Sequence, residues 1–236
     1  SGLGVQRLTT AARQRVERRV LDRAVEVAHR AGSVAVDLHR FAVLVGGQRV
    51  DQRVLGADHE EGAAEERVRA RGVDADFRAT GQTGILITGE GVCVDAVVAD
   101  FISGAAEWLS PYNDDNHWDI IEGQGSLFHV SFAGVTTGLI HGAQPDALVL
   151  CHEPTRTHMR GLPGFPLPGL RECMDATLRV AGLTNPDAKF VGVAVDTSRL
   201  SEQQAAEYLR RTEQELGLVT VDPVRNGVAR IVDQIV

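Results

Sequence analysis

Apolar positions along this chain follow two periods, and the two alternate. Runs of strand length occur at residues 41–45, 76–80, 118–121, 147–151, 190–195 and 218–221, with another apolar run at 85–88. Stretches of helical spacing lie between them, at 60–71, 94–109, 170–180 and 226–235, with a shorter segment near 135–141. The stretch 94–109 carries the broadest stripe: Val94, Val97, Val98, Phe101, Ile102, Ala105, Trp108 and Leu109 predict one helix with a face on a sheet. Ser201 with Gln204 three residues on predicts a capping box, and Gly217 the end of that helix. Pro163, Pro166 and Pro168 make residues 161–169 too proline-rich for regular structure. Alternation of strand and helix from residue 41 onward predicts a parallel sheet covered on both faces, an α/β fold.

Upstream the pattern differs. Residues 7–30 read as one helix rich in Arg, Ala and Glu, followed by the 41–45 strand and Gly46-Gly47. Residues 48–58 show no clear period. The organisation expected is therefore an atypical segment 1–60 and an α/β domain 61–236.

Composition narrows the class. With 43% hydrophobic residues in 236, the chain can bury a substantial core. It has no apolar run long enough for a membrane helix and no signal-peptide start, so a cytoplasmic protein with no membrane partner is expected. Cys93, Cys151 and Cys173 are widely spaced and read as reduced thiols. The net charge of −8 falls on residues 76–236, residues 1–75 being slightly basic, and an acidic body argues against nucleic acid. Among 24 basic residues only Lys189 is a lysine, and it precedes a strand rather than sitting in a glycine-rich loop; a solvated strand-edge charge is expected.

The chemistry concentrates at residues 122–126. A strand ends in Glu122, and Gly123, Gln124, Gly125 and Ser126 follow. In an open α/β sheet a carboxylate so placed lies in the crevice at the carboxyl ends of the strands, and glycines let backbone N–H groups approach an anion. An ordinary turn with a solvated Glu fits the same spacing.

Four motifs in order carry a resemblance: ATGQTGILI (79–87), VDAVVADF (94–101), EGQGSL (122–127) and GLIHGAQPDA (138–147). Over about residues 70–236 the chain resembles a bacterial and archaeal family, long a domain of unknown function, that includes D-glutamate N-acetyltransferases. The resemblance implies a three-layer, mostly parallel domain of P-loop NTPase type, akin to dethiobiotin synthetase. It makes Glu122 the counterpart of an acid beside Mg²⁺ and phosphate. It makes Gly81, Gln82, Thr83 and Gly84 loop residues at the same mouth, and puts Asp196-Thr197 where relatives carry Asn-Thr near a nucleotide base. The departure lies upstream, where relatives carry a Gly-x-x-x-x-Gly-Lys phosphate loop and an additional N-terminal domain. Here Gly46 to Gly56 holds neither Lys nor Ser nor Thr. Either the phosphate loop is degenerate, with Arg49 or Arg53 on an anion, or residues 1–60 are not native coding sequence.

The function implied is acetyl-CoA-dependent N-acetylation of a D-amino acid such as D-glutamate. The alternatives are an ATP- and Mg-dependent ligase or kinase-like enzyme, which the missing lysine disfavours, and a degenerate domain without catalysis. A homo-oligomer acting on a small molecule is expected. Acetyl transfer needs a base for the ammonium and donors for the oxyanion; Glu122, His129 and His141 are the candidate bases. Arg156 and Arg160 are candidates to hold a carboxylate or a coenzyme A phosphate, against a solvated basic loop. His152, Glu153 and His158 are not expected to hold a metal, since Pro154 breaks the helix that would align them. Asp95 is expected to be a cap or dipole partner of its helix and Asp100 to be solvated.

Overall fold

The computed structural model describes residues 41–46, 67–111, 113 and 117–235. Every described residue belongs to one compact unit, Asp37–Val236. The expected helix at 7–30, the first part of the one at 60–71, and Arg49 and Arg53 lie outside the described residues.

Six strands form the central sheet: β1 (Phe41–Gly46), β2 (Asp74–Arg78), β3 (His117–Ile121), β4 (Ala147–His152), β7 (Lys189–Val195) and β8 (Thr220–Val221). A separate hairpin pairs β5 (His158–Met159) with β6 (Leu162–Pro166). The helices are α1 (Gln82–Thr88), α2 (Ile102–Leu109), α3 (Ala133–Ala143), α4 (Leu170–Ala181), α5 (Glu202–Leu216), α6 (Pro223–Asn226) and α7 (Ala229–Val232). The sheet order is β2-β3-β1-β4-β7-β8. β2 is parallel to β3, β4 to β7 and β7 to β8.

β1 departs from the parallel expectation, running antiparallel to both β3 and β4. A continuous apolar run such as FAVLV marks a strand but carries no information on its direction. The reversal sets Gly46 opposite Trp118, at the start of β3, and Phe41 opposite Leu150, near the end of β4. β1 therefore ends at the sheet edge opposite the one that carries Glu122.

Both faces of the sheet are buried. Along β4, Ala147, Val149 and Cys151 join one apolar cluster, while Leu148 and Leu150 join the other. This period-2 division is what a continuous apolar strand does between two helical layers. The first cluster takes Ala106 and Leu109 of α2 and Ile231 and Val232 of α7; the second takes Ile140 and Ala143 of α3 and Cys173, Met174 and Ala181 of α4.

The stripe at 94–109 does not form one helix. Val94–Ala96 and Ala99–Phe101 are 3-10 turns, Val97 between them is extended, and α2 begins only at Ile102. Three β-branched valines within five residues weaken the helix there. The stripe is also wider than one face can bury. Ile102, Ala106 and Leu109 are buried, but Val98, Phe101 and Trp108 are 67%, 66% and 74% exposed. Residues 161–169 depart in the other direction: despite its prolines β6 pairs with β5, across a turn that Gly161 makes at φ +71°. Prolines are tolerated in such an exposed two-stranded ribbon because few of its N–H groups are needed. Of the helix expected at 226–235, Ala229–Val232 is α-helical (α7), and α6 (Pro223–Asn226) precedes it across Gly227. The capping box at Ser201 forms with both of its hydrogen bonds, and Gly217 ends α5 in the left-handed region.

Two glycines of the GLIHGAQPDA stretch act in packing. A Cβ on Gly138 would lie 2.6 Å from Ile102 Cγ2, and one on Gly142 only 2.0 Å from the backbone oxygen of Ser103. Ser103 Oγ–H also donates to the Gly138 carbonyl (3.0 Å). The spacing of four residues clears one face of α3 for the backbone of α2. Gly142→Ala should force the two helices apart and cost about 1–3 kcal/mol, the usual range for overpacking. Urea denaturation reads this as a lowered midpoint; an unchanged midpoint would mean that the helices separate without loss.

Candidate active-site edge

The five parallel strands end on one edge, and four of them are followed at once by an acid: Glu122 after β3, Glu153 after β4, Asp196 after β7 and Asp222 after β8. In an open α/β sheet this is the ligand-binding edge. The acids are held very differently.

Glu122 is 1% exposed. Its Oε2 accepts hydrogen bonds from the backbone N–H groups of Thr80 (2.9 Å) and Gly81 (2.7 Å). Its carbonyl accepts from Thr80 Oγ1–H (2.5 Å), and its N–H extends the β2–β3 ladder to the Arg78 carbonyl (3.0 Å). The glycines of GQTG are explained by this carboxylate. A Cβ on Gly81 would lie 2.9 Å from Oε1, and one on Gly84 only 2.4 Å from Oε2. The backbone N–H groups that lead into α1 thus face the protein's own anion. Gln82 and Thr83 are the first residues of α1, so the predicted loop is in fact a helix start.

The 123–126 segment is stitched to its surroundings. Gln124 Nε2–H donates to Thr80 Oγ1 (2.7 Å), tying both loops together through Thr80. Thr136 Oγ1–H donates to the Gly125 carbonyl. A Cβ on Gly125 would meet Phe132 at 2.6 Å. Ser126 Oγ accepts from the Phe128 N–H (3.1 Å) and turns the chain toward His129.

The two histidine candidates stand apart from Glu122. His129 is 4% exposed and its ring stacks on Phe132 with centroids 4.3 Å apart. Its Nδ1 accepts from the Ser131 N–H (3.1 Å), so its Nε2–H donates to the Arg160 carbonyl (3.1 Å). Both ring nitrogens are therefore engaged. His141 lies in the last turn of α3. That helix leaves the carboxyl edge and returns to the other, so about 12 Å of helical rise separates His141 from its start. Its Nε2 is buried without a hydrogen-bond partner. The structure does not bring His141 to Glu122.

Glu153 is 4% exposed, and its Oε1 accepts from the N–H (2.7 Å) and the hydroxyl (2.5 Å) of Thr155. Arg156 Nε is 4.0 Å from its Oε2. Asp222 caps α6 by accepting from the N–H groups of Val224 and Arg225, and its other oxygen accepts from the Thr197 N–H (3.2 Å) and hydroxyl. Asp196 differs from these. It is partly exposed, its Oδ1 accepts from the Ser198 N–H (2.8 Å), and its Oδ2 has no partner among the described residues. His152 stacks on Tyr208 (5.9 Å between centroids), and burial pushes the Tyr208 hydroxyl pKa up. His158 is exposed on the hairpin.

Two of the thiols, Cys93 and Cys173, are poor nucleophiles. Cys93 S–H donates to Asp95 Oδ1 (2.8 Å), and that bond first, with burial next, pushes its pKa up to about 11. Burial pushes Cys173 up to about 12. A thiol so raised is protonated at neutral pH.

Sequence reasoning missed a polar network on the β2–β3 pair. Parallel register sets Asp74 beside His117 and Asp76 beside Asp119. Arg78 Nε–H donates to Asp119 Oδ1 (2.6 Å) and Nη2–H to Asp76 Oδ2 (3.1 Å). Asn113 Nδ2–H donates to Asp119 Oδ2 (3.1 Å), and His117 Nε2 is 3.3 Å from Asp119 Oδ1. Ligand atoms of Asp76, His117 and Asp119 fall within 4.8 Å of one another, a spacing that would suit a cation. The Arg78 guanidinium already supplies the positive charge there, and we read an ion-paired network rather than a metal centre. Its signal was present: alternating polar residues in DADFR and HWD, on strands otherwise bound for the core. A groove of about 230 Å³ lined by Arg78, Glu90, Trp108 and Pro111 adjoins it. A larger groove, about 450 Å³, lies between α5 and β8 among Arg210, Glu213 and Arg230. It flanks the edge strand β8, far along the sheet from Glu122, and we do not assign it to the site.

Residues 55–232 match a family described as a domain of unknown function (DUF1611_C), P-loop domain. The chain is 58% identical over 208 residues to a D-glutamate N-acetyltransferase of Tritonibacter scottomollicae, covering 85% of this chain and 62% of that protein. It is 50% identical over 200 residues to a D-glutamate N-acetyltransferase of a Pseudoalteromonas species, covering 81% and 60%. The crystal structure of a DUF1611 family protein from Anabaena variabilis superposes with a TM-score of 0.67 at 36% identity, over 73% of this chain and 52% of that one. The chain thus spans about three-fifths of the length of the curated relatives it matches.

Proposed function

Because the chain belongs to the DUF1611 family through its P-loop domain, we propose that it acetylates the amino group of a D-amino acid, D-glutamate above all, with acetyl-CoA as donor. One observation carries the reading: relatives at 58% and 50% identity over more than four-fifths of this chain are D-glutamate N-acetyltransferases. In the reaction the ammonium gives one proton to a base, the free amine attacks the thioester carbonyl, the C–S bond breaks, and the departing coenzyme A thiolate takes up the second N–H proton to leave as the thiol. The acceptor needs an open lone pair at the mouth. Asp196, on the same sheet edge at the end of β7, keeps its Oδ2 open, whereas Glu122 Oε2 and both nitrogens of His129 are engaged. Glu122 acts here as a positioning residue, joining the 80–84 and 122–126 segments into one wall. The proposal extends to a cytoplasmic homo-oligomer; no described helix is long and apolar enough to cross a membrane.

Acetyl-CoA should raise the melting temperature more than Mg-ATP does, because a ligand that binds only the folded form stabilises it. Free coenzyme A thiol should then appear when D-glutamate is added, and much more slowly with L-glutamate. Protein that acetyl-CoA stabilises but that releases no thiol on addition of D-glutamate would overturn the acceptor. A shift with Mg-ATP alone would overturn the donor.

A further inference from the structure

We propose that Arg160, at the tip of the β5–β6 hairpin, reads the side-chain carboxylate of the acetyl acceptor and so selects acidic amino acids. The proposal rests on the acetyl-transfer reading above. The hairpin leaves the sheet at the carboxyl end of β4 and turns at Arg160-Gly161. Most of β6 is exposed, yet the tip is pinned. His129 Nε2–H donates to the Arg160 carbonyl at 3.1 Å, and the Ser131 N–H bond to Nδ1 fixes the tautomer that permits it. The ring is buried and stacked on Phe132, so the pin is rigid. His129 also follows the 122–126 wall directly, its N–H bonded to the Ser126 carbonyl at 3.0 Å. The Arg160 backbone is thereby tied through His129 to the end of that wall.

The guanidinium itself has no partner among the described residues. In that it differs from Arg69, Arg71, Arg78, Arg210 and Arg230, each paired with a carboxylate. Nor are the nearby acids open to it: Glu122 is taken by Thr80 and Gly81, and Glu153 by Thr155. A fixed backbone carrying an exposed, uncommitted guanidinium suits a carboxylate, since the fork matches one in bidentate fashion and only the side chain remains to be ordered on binding. D-glutamate offers such a carboxylate three carbons from its amino-bearing end. Coenzyme A phosphate offers an anion of related geometry, so the test separates the two.

Isothermal titration of the wild-type chain and of Arg160→Gln with D-glutamate, D-glutamine and acetyl-CoA decides the matter. Arg160→Gln should weaken D-glutamate by about 10- to 100-fold, the loss of one charged bidentate contact. D-glutamine and acetyl-CoA should bind as before, and Arg160→Lys should recover only part of the loss. Equal binding of D-glutamate by wild type and Arg160→Gln overturns the proposal. So does a loss confined to acetyl-CoA, which would make Arg160 a phosphate reader, and so does a wild-type chain that binds no D-glutamate. D-glutamate binding that depends on Arg160, in a chain that releases no coenzyme A, would sink the acetyl-transfer reading and leave the carboxylate receptor standing.

Discussion

Glu122→Ala is expected to abolish the proposed acetyl transfer and to destabilise the domain, whereas Glu122→Gln should keep most of both. The alanine strands the N–H groups of Thr80 and Gly81, which share Oε2, and Thr80 is fully buried. An unsatisfied buried donor costs about 1–3 kcal/mol, and there are two. It also empties the space that Gly81 and Gly84 leave for the carboxylate, so the first turn of α1 loses its anion and the wall its anchor. Glutamine keeps an oxygen that can accept from both donors. The pair therefore separates an anchor from a base. Thermal unfolding and coenzyme A release would be followed on both variants. A Glu122→Gln protein that melts like wild type but turns over a hundredfold slower would make Glu122 the base and overturn its positioning role. An alanine variant as stable as wild type would refute the cradle.

Arg78→Met is expected to be the most damaging change away from that edge, at about 3–5 kcal/mol, the cost of leaving one partner of a buried ion pair alone. Asp119 is completely buried, and Arg78 reaches it at 2.6 Å. For a domain of this size that corresponds to a fall in melting temperature of roughly 6–20 °C. Removing both charges should be milder. Arg78→Met with Asp119→Leu fills the volume with apolar groups, and such replacements are often near neutral. A double variant no more stable than Arg78→Met would show that the remaining partners, Asp76, His117 and Asn113, need the pair intact. The network braces the two strands that deliver Thr80 and Glu122, so the single variant should also lose activity beyond its loss of folded protein.

Much of the core was legible because local patterns carry it. The runs at 118–121, 147–151 and 190–195 are strands within a residue or two, and the Ser201–Gln204 box forms as drawn. The misreadings share a cause. The 94–109 stripe promised one long helix, but an apolar stripe does not say where β-branched residues will interrupt it, nor that Val98, Phe101 and Trp108 will stay outside. The proline count at 161–169 hid a hairpin because it says nothing of whether those N–H groups are needed. At the site, EGQGS reads in sequence as a loop open to an anion and GQTG as a loop at the same mouth. They face each other, and the anion between them is Glu122.

By itself the sequence determined most of the element types, the α/β class and the presence of an acid at the end of β3, since each depends on residues within a turn or a strand of one another. Only the tertiary structure decided the reversed direction of β1, the remote place of His141, the engagement of His129 with Arg160, and the pairing of Arg78 with Asp119. Those partners lie tens of residues apart in the chain, where no period or propensity reaches. They are chosen by which backbone donors and buried charges the packed sheet leaves to be satisfied.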